Sequence, residues 1–333
     1  MSVREAKTVI RTDGVCREYK YYKKEEGLKG SFKNLFFKKY LYKKAVDGLS
    51  VNIREGEIVG LIGLNGAGKT TTLKMLSGLL EPTSGKIDVL GYEPFRKQSG
   101  FLKQISMVMG NKNQLWWDLP AIETFRLNSK IYGIDPEVYK NRLDEMAELF
   151  QVGDLIHTQV KRLSLGERMK MEILSSLLHS PKIVFLDEPT IGLDIVSQYN
   201  IRLFLKEYNL RHHSTILLTS HNFNDIISLC NRLLILNSGK IIYDDTFENF
   251  SKKFSKQKNI TIKVKNNSDF VRNFLDVSNY EADSADRNSI RFHIEDSQIT
   301  DMLSFLTKSD IGDLEDIQIE TIGMEEIIRN LYA

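Results

Sequence analysis

The sequence predicts an α/β protein. Its main body is a mostly parallel sheet with an antiparallel N-terminal subdomain and a helical subdomain, and a small α+β domain follows. Three observations lead there. Apolar runs such as Ile183–Leu186 and Ile216–Leu218 have the length and unbroken hydrophobicity of strands buried on both faces. From about Lys182 such runs alternate with helical patterns, the arrangement that builds a parallel sheet. The polar stretch Glu248–Asn259 then separates this region from a second set of alternating segments.

Taken in order, Val51–Ile53 alternates, Glu55-Gly56 turns, and Ile58–Ile62 reads as a buried strand. A glycine-rich turn leads into a helix with Leu73, Leu76 and Leu80 at helical spacing, stopped by Gly78–Pro82. The span from about 98 to 180 reads as mostly helical. Within it Asp135-Pro136 is an N-cap followed by proline at the first helical position, and Val138, Leu143, Met146, Ala147 and Phe150 form one stripe. Beyond Ile183–Leu186 come a helix over Ser197–Tyr208, the strand Thr215–Thr219 and a helix over Asn224–Leu229. The strand Leu233–Leu236 then turns at Ser238-Gly239 into Lys240–Tyr243. The first domain is therefore expected over 1–247, a linker over 248–259 and an accessory domain over 260–333. That accessory domain reads as strands Ile260–Val264, Ile290–Ile294 and Ile317–Glu320 with helices Ser268–Leu275, Gln298–Leu306 and Met324–Tyr332.

A chain of 333 residues, 41% apolar and 27% charged, has the composition of a globular protein with a substantial core. The net charge is only +2 but is unevenly placed. Between Arg17 and Lys44 stand ten Lys/Arg against three Glu, so the remainder of the chain is net negative, which argues against a globally basic nucleic-acid binder. That basic segment carries Phe32, Leu35, Phe36 and Tyr40 at helical spacing, and an amphipathic helix on an anionic membrane, a solvated loop and strands are all compatible with it. Cys16 and Cys230 are far apart and in no metal-ligand spacing, as expected of reduced thiols. The N-terminus lacks the apolar core of a secretory signal, and no run of about 18 apolar residues occurs.

The strongest chemical signal is Gly63-Leu64-Asn65-Gly66-Ala67-Gly68-Lys69-Thr70, which satisfies G-x-x-x-x-G-K-[ST] between a predicted strand and a predicted helix. Glycines let backbone N–H groups ring a phosphate, and the helix N-terminus adds partial positive charge. Lys69 is placed to reach the β and γ phosphates and the Thr70 hydroxyl to bind Mg²⁺. Next, Ile183–Leu186 delivers Asp187 and Glu188 to the C-terminal end of a strand, where open parallel sheets place ligand sites. Asp187 suits Mg²⁺ and Glu188 suits the attacking water. Finally, Ser164-x-x-Glu167 is a capping box whose helix N-terminus offers free N–H groups.

These segments, with Leu163–Glu167, Gly192-Leu193-Asp194 and Ser220-His221, follow the order and spacing of ABC ATPases, and the resemblance covers about residues 40–245. Leu163–Glu167 looks like that family's signature, with Leu165 and Glu167 departing from the usual glycine and glutamine. The resemblance implies ATP and Mg²⁺ as cofactors, with Thr71 completing the phosphate loop. It implies two subunits pairing head to tail, so that Ser164 and Gly166 meet the partner's nucleotide, with His221 as the switch histidine and Asp194 coupling the sites. Tyr40 is the expected adenine-stacking aromatic, with Tyr42 as the alternative. The family's Mg²⁺-binding glutamine falls on Asn111 by counting back from Asp118-Leu119, with Gln114 as the alternative.

The adjacent Trp116-Trp117 follow in the region that in this family faces the membrane subunit, and two neighbouring indoles cannot both enter one core from a regular helix. The expected function is therefore an ATP-hydrolysing subunit that energises a transporter, an exporter by resemblance, through separate membrane permease chains at the cytoplasmic face. The alternative is a soluble ABC ATPase acting on nucleic acid or ribosomes. The second cassette, coiled coils and zinc modules usual there are missing, so no nucleic-acid partner is expected. A module that binds ATP without turnover is disfavoured by Glu188 and His221 together.

Overall fold

The computed structural model describes residues 7–22, 40–110, 112–254, 257–264, 282–285, 288–308, 314–321, 326–328 and 331–332. The chain divides into two compact units between Thr246 and Phe247.

The first unit opens with an antiparallel sheet. The long strand β1 (Thr8–Tyr22) pairs with β2 (Tyr40–Leu49) on one side. It also pairs with β3 (Asn52–Arg54) and β5 (Ser84–Val89), which lie on opposite edges of β1 because Ile10 and Arg11 pair with both. Register shifts interrupt the β1–β2 pairing between Val15 and Glu18. Between these lie β4 (Ile58–Gly63) and α1 (Lys69–Leu76). Helix α1 stops at Ser77, before the left-handed Gly78, so Leu80 packs on the core from outside the helix.

The middle of the chain holds α2 (Ser99–Leu102), the strand β6 (Ile105–Met109), α3 (Ala121–Tyr132), α4 (Pro136–Phe150) and α5 (Leu165–Leu177). Its described residues are thus mostly helical, with β6 as a strand among them. The Asp135 side chain accepts from the N–H groups of Glu137 at 2.9 Å and Val138 at 3.3 Å, and Pro136 takes the first helical position. On α4, Leu143, Met146, Ala147 and Phe150 are buried as the stripe predicts, whereas Val138 in the first turn is exposed.

Then follow β7 (Ile183–Asp187), α6 (Ile195–His212), β8 (Thr215–Thr219), α7 (Phe223–Leu229), β9 (Arg232–Asn237) and β10 (Lys240–Thr246). The sheet order is β10-β9-β4-β8-β7-β6; all neighbours are parallel except the β9–β10 hairpin. Every residue of β4, β7 and β8 is buried, as fits strands covered on both faces. Their carboxyl ends meet in register, Asp187 opposite Thr219, and this edge carries the site.

The second unit contains α8 (Phe247–Phe254), β11 (Gln257–Val264), β12 (Ala282–Ala285), β13 (Ser289–Glu295), α9 (Ile299–Lys308) and β14 (Leu314–Thr321). Its antiparallel sheet runs β12-β13-β11-β14. Ile260, Ile262, Ile290, Phe292 and Ile294 from the strands meet Met302 and Leu306 of α9 in one core. The linker expected over 248–259 is corrected here, because residues 248–254 lie in α8 and residues 257–259 begin β11. Phe247, Phe250 and Phe254 recur at helical spacing, Phe250 is fully buried, and Lys252 pairs with Glu248 one turn apart. The expected helix Ser268–Leu275 lies outside the described residues, as does part of Met324–Tyr332.

Candidate functional site

Strand β4 ends at Gly63, and the chain loops through Gly68 into α1. Gly68 sits at φ 108, and a Cβ there would lie 2.3 Å from the Ala45 carbonyl oxygen, so only glycine fits. The loop is closed by Ala67 N–H donating to Leu64 O at 3.0 Å and Thr72 N–H to Gly68 O at 2.8 Å. Lys69 is buried and folds back on the loop, donating to the carbonyls of Gly63 at 2.6 Å and Leu64 at 3.4 Å. Burial pushes its pKa down, and the charges of Glu188 and Asp187 oppose that. A desolvated ammonium hydrogen-bonded to two carbonyls is suited to an incoming polyphosphate. The loop lines a recess of about 270 Å³ with Leu64, Asn65, Gly66, Ala67, Gly68, Lys69, Thr70 and Thr71, joined by Tyr19, Lys43, Ala45 and Glu188.

Strand β7 ends on the two acids, and the backbone sends them apart. Asp187 Oδ1 accepts from the hydroxyls of Thr70 at 2.9 Å and Thr219 at 2.8 Å. Glu188 then turns into the left-handed region at φ 54, a conformation costly for a non-glycine residue and held by Glu188 N–H donating to Thr219 Oγ1 at 3.0 Å. Its Oε1 lies 2.7 Å from His221 Nε2. Asp187 thus faces the phosphate loop while Glu188 reaches the recess with an imidazole behind it. The hydroxyl and carboxylate of Thr70 and Asp187 are hard oxygen donors, the set that holds Mg²⁺ when phosphate oxygens complete the shell. Among the described residues no group of three His, Cys, Asp or Glu could hold a metal ion.

A second cluster forms elsewhere in the same unit. Ser164 caps α5, accepting from Glu167 N–H at 3.3 Å while Glu167 accepts from Ser164 N–H at 2.8 Å. A Cβ on Gly166 would lie 2.3 Å from Ser197 Oγ, so glycine lets α5 meet the start of α6. Asp194 caps α6, accepting from the N–H of Ser197 at 2.9 Å and its hydroxyl at 2.6 Å, and these bonds hold its carboxyl below the ordinary range. Ser164, Gly166 and Asp194 do not line the phosphate-loop recess of their own chain.

The family described as ABC transporter matches residues 46–191. The chain is 35% identical over 205 residues to the ABC transporter ATP-binding protein NatA of Bacillus subtilis (strain 168), covering 62% of this chain and 83% of that protein. It is an ABC transporter ATP-binding protein. It is also 32% identical over 245 residues to the bacitracin transport ATP-binding protein BcrA of Bacillus licheniformis, 73% of this chain and 79% of that one. The fold is that of a solved ATP binding subunit of an ABC transporter, with a TM-score of 0.61 at 24% identity over 74% of this chain and 93% of the other. The ATP-binding cassette MJ0796, solved as a dimer with ADP and Pi, gives a TM-score of 0.59 at 22% identity over 71% and 98%.

One sequence expectation about this ABC ATP-binding protein changes. Tyr40 does not line the recess; it begins β2 opposite Tyr22, with the Lys20 ammonium 3.8 Å from its ring centroid. Tyr42 does not line it either, whereas Tyr19 does, opposite Lys43 on the neighbouring strand. Counting from the phosphate loop misses Tyr19 because residues 23–39 intervene between the paired strands. The usable signal was the β-like run Val15–Tyr22, which overlaps the start of the basic segment. Asn111 lies outside the described residues. Gln114 is committed elsewhere, its amide donating to Met107 O at 2.8 Å.

The stretch around Trp116-Trp117 is anchored by a residue that sequence reasoning passed over. Glu172 of α5 is 3% exposed, and its Oε1 accepts from the N–H groups of Gln114 at 2.8 Å and Leu115 at 3.2 Å. Both indoles remain about half exposed, Trp116 at 48% and Trp117 at 45%, with Arg168 over the Trp117 ring. Burial raises the Glu172 pKa above 4.5, against the pull of the two N–H groups and Arg168. A carboxyl raised on folding contributes stability below its unfolded pKa and loses it as pH rises through the folded value. Glu172→Gln keeps the acceptor without the charge, so its melting temperature should exceed the wild type's at neutral pH and converge with it below about pH 4.5. Glu172→Ala orphans both N–H groups and should cost about 2–4 kcal/mol at low pH, where the carboxyl is protonated, and less at neutral pH. Parallel melting curves for wild type and Glu172→Gln across pH would refute this account.

Proposed function

We propose that this ABC transporter ATP-binding protein hydrolyses ATP and thereby powers export through a separate membrane permease, working as a peripheral subunit on the cytoplasmic face. The observation that carries turnover, beyond binding, is the Glu188–His221 pair 2.7 Å apart beside the phosphate loop. In this reading the N–H groups of Gly63–Thr71 and the Lys69 ammonium bind the β and γ phosphates. Thr70 and Asp187 hold Mg²⁺, which when bound offsets charge on the phosphates. Glu188 orients or deprotonates the attacking water, and His221 steadies the Glu188 carboxylate and faces the γ-phosphate.

Ser164 and Gly166, remote from their own recess, serve the nucleotide of a second copy or a homologous subunit, and Asp194 beside them couples the two sites. That separation supports an active site assembled from two chains, so the lone subunit binds ATP but turns it over slowly. Export is supported by likeness to a protein named for bacitracin transport. A separate permease is supported by the described residues, in which no helix is long and apolar enough to cross a membrane. The exposed Trp116-Trp117 supplies an aromatic anchor of the kind that concentrates binding energy.

Co-expression with its permease should bring the chain into detergent-solubilised membranes as a complex whose ATP turnover exceeds that of the isolated chain. Trp116→Ala with Trp117→Ala should weaken that association by about 2–4 kcal/mol while leaving ATP affinity unchanged. A chain that retains no membrane protein, and whose turnover no permease alters, would sink the reading.

A further inference from the structure

We propose that Asp225 is a positioning residue that keeps Glu188 and His221 in register for turnover. This rests on the hydrolysis reading above. Asp225 lies in α7, outside the known motifs, and is 1% exposed. Its carboxylate gathers donors from three separate parts of the chain. Thr190, two residues after Glu188, donates its hydroxyl to Oδ2. Ser220, immediately before His221, donates to the same oxygen at 2.7 Å. Arg202 of α6 donates to Oδ1 at 2.6 Å and neutralises the charge.

The arrangement fixes the backbone on both flanks of the histidine. Ser220 Oγ also accepts from Asn222 N–H at 2.9 Å, so the hydroxyl that Asp225 orients holds the residue after His221 as well. Through Thr190 the same carboxylate holds the loop that leaves Glu188. His221 itself is 43% exposed, with Glu188 as the partner of its Nε2. An exposed imidazole has many rotamers, and one geometry for both groups follows from tying both backbones to one buried anion. A buried ion pair is a weak stabilising device, since a well-packed apolar substitute is often as stable, whereas a hydrogen-bonded anion fixes directions that apolar contacts leave free.

The decisive variants are Thr190→Val, which keeps the shape and removes one donor, Thr190→Ser, which restores it, and Asp225→Asn, which sets an amide N–H against donors. In the assembled, permease-bound protein, Thr190→Val should lower ATP turnover about fivefold and Asp225→Asn about tenfold, with ATP affinity within about twofold of wild type and Thr190→Ser close to wild type. The His221 ring-proton resonance, read by NMR without turnover, should shift in Thr190→Val and Asp225→Asn and return in Thr190→Ser. Folded variants with wild-type turnover and an unmoved His221 signal overturn the proposal. So does a loss of turnover that only parallels loss of ATP affinity and melting temperature. Failure of the hydrolysis reading would differ, since the wild type itself would then be inactive while the His221 signal still reported on Asp225.

Discussion

Glu188→Gln should lower ATP turnover about 10³-fold while ATP affinity stays within about twofold, because the change removes a proton acceptor and keeps the shape. The carboxylate sits at the end of β7 on a left-handed residue, with its oxygen 2.7 Å from His221 and no bond to the phosphate loop. In the proposed reading, ground-state contacts to the triphosphate come from Lys69 and the loop N–H groups, which the substitution leaves in place. Glutamine still bonds the imidazole but cannot accept the proton of the attacking water. The paired, ATP-loaded state should therefore accumulate in the variant. Steady-state phosphate release from the permease-bound complex, with fluorescent-nucleotide titration of the same sample, separates turnover from binding. A variant that released phosphate at the wild-type rate would remove Glu188 from the chemistry and leave Asp187 as the acid to test.

Tyr19→Ala should weaken ATP binding by about 1–3 kcal/mol, a loss of roughly five- to 150-fold, whereas Tyr40→Ala should leave it nearly unchanged. Tyr19 lines the recess beside the phosphate loop, and Tyr40 does not. An aromatic face offers the adenine a stacking partner that no other described residue of that recess supplies. Lys43, directly opposite Tyr19, adds a cation to the same wall. Comparing ATP with inorganic triphosphate sharpens the test: Tyr19→Ala should impair the nucleotide and spare the phosphate chain. Equal losses for both tyrosines, or an equal loss for triphosphate, would remove base stacking from Tyr19.

What is legible in the sequence depends on the range over which each signal acts. The phosphate loop, the acids after β7 and the caps at Asp135 and Ser164 were legible because each rests on neighbouring residues: glycine dihedrals, an apolar strand of fixed length, a side chain reaching three residues on. The α/β architecture followed from the same local periodicities, and the sheet order β10-β9-β4-β8-β7-β6 arranges those strands without altering them. The polar composition of 248–259 masks Phe250 and Phe254, which with Phe247 stand at helical spacing. Strand β12, Ala282–Ala285, carries no strand preference and exists through its pairing with β13.

Three things only the tertiary structure decided. Tyr19 replaced Tyr40 because antiparallel register, independent of the length of chain between two strands, chooses which residues share a wall. Glu172 became the tie on the tryptophan stretch, and Asp225 the common acceptor of Thr190, Ser220 and Arg202, because a buried carboxylate takes its meaning from the donors packed around it. Those donors lie between 5 and 58 residues away along the chain, on elements that meet only once the sheet is assembled. The sequence by itself determined which residues can handle a phosphate and a water, since that is local chemistry. The fold determined which residues aim them, since aim is a property of contacts between distant parts of the chain.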